Sequence, residues 1–332
     1  MTLKKKNILI TGVAGFIGFH LSLVLLKKGY NVLGIDNLNN YYSKKYKIYR
    51  KNILLKNKKF KFLKLDLRFL DKTKKVFEKN KIDTIYHLAS QPGIMYSFNN
   101  PGTYKSNNIL VTKNLIHLTK KFNIEKFYFT SSSSVYGNQK KYPIKESAKL
   151  KPLNYYAKTK ITCEKLLLKC LKKSEVDLKI FRPFTVYGTF SRPDMIFLTY
   201  LKRSFENNDF FLFNNGNYLR DFTHVDDVAE ILYKFLAIGK IKKKIFNICS
   251  SKPVKIKDLL IIIKKYSKKN TNIILKPYRK GEMIKTYGDN RLLKKIINYK
   301  KFTSIDFGIK KTVKWYSNFK NKDILYFNKV KY

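Results

Sequence analysis

Eight residues near the start of the chain, Thr11-Gly12-Val13-Ala14-Gly15-Phe16-Ile17-Gly18, limit the fold more than any other stretch. They follow a β-type run, Asn7 to Thr11, and open a helical pattern, Phe16 to Lys28. In that setting Gly12 permits a tight turn, Gly15 lets the backbone approach a pyrophosphate, and Gly18 lets helix and strand pack closely. Phe16 and Ile17 fall in the first helical turn, where backbone N–H groups have no partner inside the helix. Such a pattern carries weight only in this strand–helix context.

A second β-type run, Asn31 to Ile35, ends beside Asp36, 18 residues after Gly18. A carboxylate there accepts hydrogen bonds from a ribose diol and repels a 2′-phosphate, so NAD is expected rather than NADP. Asp66, after a third run at Phe60 to Leu65, is placed to meet an adenine edge. Further runs at Thr84 to Leu88, Lys126 to Ser131 and Leu178 to Arg182 are separated by helical segments, which means crossover units and a parallel sheet covered on both faces. The predicted fold is α/β: a Rossmann-like doubly wound sheet over residues 1–185, with a smaller α/β substrate-binding lobe over 186–332. Beyond Pro183 the pattern loosens into turn-rich stretches, and no linker separates the lobes, so shared elements are expected.

Two stretches carry the chemistry. Tyr156-Ala157-Lys158-Thr159-Lys160 puts a phenol and an ammonium at i and i+4 on one helix face, where the cation would favour phenolate and make Tyr156 a proton acceptor. Upstream, Thr130 to Gly137 contains Ser131-Ser132-Ser133-Ser134 at a strand end, where a hydroxyl can hold a substrate alcohol as its proton leaves.

With these motifs in this order, the chain resembles the extended short-chain dehydrogenases and, within them, the NAD-dependent epimerase/dehydratase family. The resemblance covers essentially the whole chain and matches Ser132, Tyr156 and Lys160 to the family's catalytic triad. Four further stretches are similar to the UDP-glucuronate 4-epimerase branch: Asp36 to Tyr42, His87 to Gly93, Ser131 to Gly137, and Arg182 to Gly188 continuing through Ser191-Arg192-Pro193-Asp194-Met195. It implies that NAD is held by the glycine motif with Asp36, Asn37, Asn40, Asp66, Leu67, Leu88, Ala89, Asn108, Tyr156 and Lys160. It further implies a UDP-sugar held by Ser132, Ser133, Ser134 and Thr185, with Arg220 and Arg279 on the diphosphate. Arginine suits bidentate phosphate recognition, and Arg192, in a loop, can face a sugar carboxylate.

Dehydratases of the family carry an Asp-Glu pair directly after the catalytic hydroxyl, and decarboxylating relatives carry a Glu in that stretch. This chain has Ser133 and Ser134, so the expected path is rotation of a 4-keto sugar and return of hydride to its other face. The expected reaction is conversion of UDP-glucuronate to UDP-galacturonate. Alternatives are a UDP-glucose or UDP-N-acetylhexosamine 4-epimerase, a nucleotide-sugar decarboxylase, or a catalytically silent NAD-binding scaffold. The chain departs from the branch pattern at Met95, where an Arg is usual, and at Thr189, Ser191 and His224. The resemblance also implies a homodimer built on two helices, including the one bearing Tyr156, and a product destined for surface glycans.

The formal net charge of +49 raises the question of nucleic acid. However, 63 of the 71 basic residues are Lys, scattered along the chain rather than gathered in one stripe, and no specific nucleic-acid partner is expected. Cys163, Cys170 and Cys249 show no metal spacing and no disulfide framework. The basic start, Met1 to Lys6, precedes only a short apolar run, and no window reaches the length of a membrane span, so a soluble, cytoplasmic protein without a metal is expected.

Overall fold

A computed structural model describes residues 6–326; Met1 to Lys5, most of the basic start considered above, lie outside the described residues, as do residues 327–332. The first half alternates strands and helices: β1 (Asn7–Thr11), α1 (Phe16–Lys27), β2 (Asn31–Asp36), α2 (Lys44–Leu55), β3 (Phe60–Lys64), α3 (Leu70–Lys79) and β4 (Thr84–His87). Two short helices, α4 (Tyr96–Asn99) and α5 (Pro101–Tyr104), lead through a π-helical turn (Lys105–Leu110) into α6 (Val111–Lys121). Then come β5 (Lys126–Thr130), α7 (Tyr155–Cys170) and β6 (Asp177–Pro183).

The second half contributes β7 (Thr185–Tyr187), α8 (Ile196–Phe205), β8 (Phe210–Phe213), β9 (Leu219–His224), α9 (Val225–Ala237), β10 (Ile245–Ile248), β11 (Pro253–Lys255), α10 (Ile256–Ser267), β12 (Ile273–Lys276), α11 (Arg291–Ile297) and α12 (Ile305–Asn318). The main sheet has seven strands in the order β10-β6-β5-β4-β1-β2-β3, and each neighbouring pair is parallel. β4 and β6 are buried along their whole length, as strands covered by helices on both faces must be. One face packs Phe19, Leu25, Val228 and Leu232 of α1 and α9 into the core, and the other packs Leu115, Cys163 and Leu167 of α6 and α7.

β10, far along the chain, completes this sheet beside β6, so both halves of the chain contribute to it. The remaining strands form a three-stranded sheet, β11-β9-β7, and a two-stranded one, β12-β8, over a separate aromatic core that includes Tyr200, Phe210, Phe222 and Tyr316. Among the described residues no helix is long and apolar enough to cross a membrane.

Candidate functional site

Strand order reverses between β1 and β4, and at such a switch point a crevice opens beyond the carboxyl ends of the strands. A cleft of about 510 Å3 lies there and runs from the start of α1 to the smaller sheets.

At one end, Gly12, Gly15, Phe16, Ile17 and Gly18 line the cleft. Gly12 has φ +71°, and a Cβ on it would lie 2.8 Å from the Ala89 Cα; a Cβ on Gly18 would run into the Gly12 carbonyl. Gly15 caps α1 without a side chain, which leaves the first turn open to an anion. The Asp36 carboxylate, at the end of β2, accepts from the Ala14 and Leu38 amides at 3.1 and 2.8 Å. Asn37, Asp66, Leu67, Leu88 and Ala89 share the lining. Asp66 is clasped by Arg68, whose Nη2 lies 2.7 Å away, so one face of this carboxylate is already engaged.

Two expected cofactor residues are not in the lining. Asn40 is exposed, and Asn39 lines the cleft in its place. Asn108 is 2% exposed: its Oδ1 accepts from the Gln91 amide at 2.7 Å and its Nδ2 donates to Thr159 Oγ1 at 3.0 Å. The π turn widens the helix by one residue and turns Asn107, not Asn108, to the cleft. Asn108 therefore braces the wall against α7.

At the chemical end, Ser132 caps a short 3-10 turn, accepting from the Ser134 amide at 3.2 Å. Ser132, Ser133, Ser134, Tyr156, Lys160 and Thr185 all line the cleft, and the Ser134 hydroxyl is buried without a protein partner. Burial raises the Tyr156 phenol above its usual range, while a hydrogen bond with Ser132 and the charge of Arg192 pull it down. The Lys160 ammonium lies 5.9 Å from the centre of the phenol ring. It donates to the Thr130 carbonyl at 2.8 Å, and burial lowers its pKa to about 8.

Arg192, Arg220 and Arg279 converge on the cleft from the second half of the chain, and each meets a carboxylate. Arg192 pairs twice with Asp194 at 2.9 Å, and Tyr41 donates to the same carboxylate at 3.2 Å. Glu282 lies between the other two, 3.6 Å from Arg220 and 3.3 Å from Arg279.

The cleft also contains Lys47, which pattern reading passed over. Its buried ammonium donates to the carbonyl and side-chain oxygens of Asn39 at 2.8 and 2.7 Å. Lys47 and the fully buried Arg50 lie on the same face of α2 as Tyr46 and Leu54, and two cations on an apolar helical face were the available signal. Arg50 ties the Ala14 carbonyl to the Phe190 and Ser191 carbonyls just before Arg192. No group of three or more His, Cys, Asp or Glu able to hold a metal occurs among the described residues.

The donor set fits a dinucleotide: an uncapped helix start over glycines at one end, a carboxylate beyond it, and a buried hydroxyl without a partner deeper in.

An uncharacterised protein of Methanocaldococcus jannaschii is 38% identical over 97% of this chain and 99% of its own length. A UDP-glucuronate 4-epimerase of Thermodesulfobacterium geofontis is 35% identical over 92% of this chain and 95% of its own length. The crystal structure of the UDP-glucuronic acid 4-epimerase of Bacillus cereus, in complex with UDP-glucuronic acid and NAD, superposes with a TM-score of 0.87 at 32% identity, covering 94% of this chain and 99% of that one. The sequence profile of the NAD dependent epimerase/dehydratase family matches residues 8–249, and with this fold and this cleft the chain belongs to that family.

Proposed function

We propose that the protein is an NAD-dependent nucleotide-sugar 4-epimerase that interconverts UDP-glucuronate and UDP-galacturonate. The observation that carries this reading is one cleft lined by the glycine turn, Ser132, Tyr156, Lys160 and three converging arginines. The chain's similarity to UDP-glucuronate 4-epimerases along nearly its full length supports the substrate. In this reading residues 1–185 chiefly hold the dinucleotide and residues 186–332 the nucleotide sugar. The protein, in this reading, acts as a homodimer in the cytoplasm, where its three free cysteines stay reduced.

The chemistry that NAD supplies when bound is reversible hydride acceptance at the sugar C4. Tyr156 takes the C4 hydroxyl proton and later returns it, while Ser132 holds the oxygen. Both are half-buried in the cleft wall, flanked by the buried Ser133 and Lys160, and a sugar seated against them would displace water from the reacting carbon. Lys160 orients the nicotinamide ribose from its anchor on Thr130. Ser133 and Ser134 offer no carboxylate to drive elimination, so the sugar turns and is reduced on its other face. Arg220 and Arg279 hold the diphosphate, and Arg192 faces the uronate.

One feature favours a second reading. Asp194 offsets the charge of Arg192, which suits a neutral hexose, so UDP-glucose is the alternative substrate. Incubation with each UDP-sugar, followed by proton NMR of the anomeric signals, decides between them. UDP-galacturonate should form from UDP-glucuronate, and Tyr156→Phe should abolish it while leaving UDP binding intact. Turnover of UDP-glucose alone would move the assignment to the neutral sugar, and no turnover of any nucleotide sugar would defeat both.

A further inference from the structure

The turn that carries Arg279 is fastened to the helix that carries Tyr156, and one side chain makes the joint. Asn154, 4% exposed, caps α7: its Oδ1 accepts from the Ala157 amide at 2.9 Å. That bond fixes the orientation of the carboxamide, since only its oxygen can accept from an N–H. Its Nδ2 consequently points away and donates to the Gly281 carbonyl at 3.2 Å, 127 residues on. Gly281 is the middle of the turn closed by the Glu282 amide on the Arg279 carbonyl at 3.3 Å. The Tyr218 hydroxyl accepts from the Arg279 amide at 2.9 Å, and Asn138 Oδ1 accepts from the Ile284 amide at 3.0 Å, which pins the turn on either side.

Asparagine is the one good capping residue that can do both. Serine and aspartate cap equally well, but a serine hydroxyl sits one bond closer to the backbone than Nδ2 and does not bring its donor to the carbonyl, and an aspartate has no donor for it. A diphosphate on Arg220 and Arg279 competes with Glu282, which now holds both, so nucleotide binding acts first on this turn. The only side-chain link from the Gly281 carbonyl to α7 among these bonds is Asn154, two residues before Tyr156.

We propose that Asn154 is a positioning residue that couples occupancy of the diphosphate turn to the first turn of α7, so that the phenol is aligned when nucleotide is bound. The proposal rests on the assignment of Arg220 and Arg279 to the diphosphate. Its test uses UDP as the probe and Asn154→Ser and Asn154→Asp as variants that keep the cap. Both keep the cap and lose the bond to Gly281, so both should stay folded and melt lower than the wild type by no more than about 6 °C, Asn154→Ser the less affected because it sets no carboxylate against the carbonyl. Calorimetry reports UDP binding, and hydrogen exchange reports the amides of residues 155–159.

In the wild type, UDP should slow that exchange at least about fivefold, the lower end of ordinary coupling between sites. In both variants UDP should still bind and the slowing should vanish, and kcat should fall more than KM rises. Equal slowing in wild type and variants, or none in the wild type with UDP bound, would overturn the proposal. Failure of the wild type to bind UDP would overturn it together with the diphosphate assignment. If UDP binds and slows exchange yet UDP-glucuronate is not turned over, only the substrate assignment fails.

Discussion

Glu164 and Arg182 are each 2% exposed, and their pairing, with Nη2 to Oε2 at 2.5 Å and Nε to Oε1 at 2.9 Å, lies directly under the serine run. The Ser131 hydroxyl donates to the same carboxylate, so the pair sets the position of the residue next to Ser132. Breaking a buried pair by removing one charge leaves the other uncompensated, and Glu164→Gln should cost about 3–5 kcal/mol in urea unfolding. A change under 1 kcal/mol would mean that Arg182 is carried by its bonds to Tyr136 and the Glu146 carbonyl. Acid sensitivity follows from two buried histidines. Burial lowers His87 to about 3 and His224 to about 4, both well below the unfolded value near 6.5. The unfolded chain therefore binds more protons than the folded one between these limits, so stability is full above about pH 6.5 and falls as pH drops toward 4. Asp221, raised to about 6 by burial, opposes this in part, because its folded carboxyl takes up a proton first. The urea midpoint should still fall from pH 7.5 to pH 5, and a flat profile would contradict the histidine assignment. Residues named by a motif with fixed chemistry, such as Tyr156, Lys160 and Asp36, were legible in the sequence. Lys47 and Asn107 were not, because their facing depends on how α2 and a π turn are rotated, which composition does not record.

At the scale of elements, β1 to β6 were readable to within about a residue: strands covered on both faces become short apolar runs, and β3, at the edge of the sheet, shows the alternation of Phe60-Lys61-Phe62. The strands of the smaller sheets were not readable. β7 and β11 are three residues long, and their partners lie on β9, far away in sequence, so no local period marks them. The contact of α1 with β1 was legible because only glycine fits it. Gly18→Ala would drive a Cβ into the Gly12 carbonyl, moving the helix start that lines the cleft. The variant should fold but purify with most of its NAD lost, visible as a lower ratio of absorbance at 260 to 280 nm. Full retention would show that the glycine turn gives way to the added methyl without moving the helix start.

For the whole molecule, the charge of +49 sets a long-range field in which any dianionic nucleotide is drawn in. The apparent KM for a UDP-sugar should rise with ionic strength, and binding to heparin should weaken steeply between about 50 and 200 mM salt. Heparin binding that survives high salt would point to a specific polyanion site. The position of β10 also governs the order in which the molecule can be completed as it is made. β6, with every residue buried, has no partner on its outer side until Ile245–Ile248 has left the ribosome. For the roughly 60 residues of synthesis between them, at about 5–20 residues per second, the nascent chain presents an open strand edge to its neighbours. The last strand of the sheet thus acts as a seal, and chains released before it are the ones a cell's chaperones should be found holding.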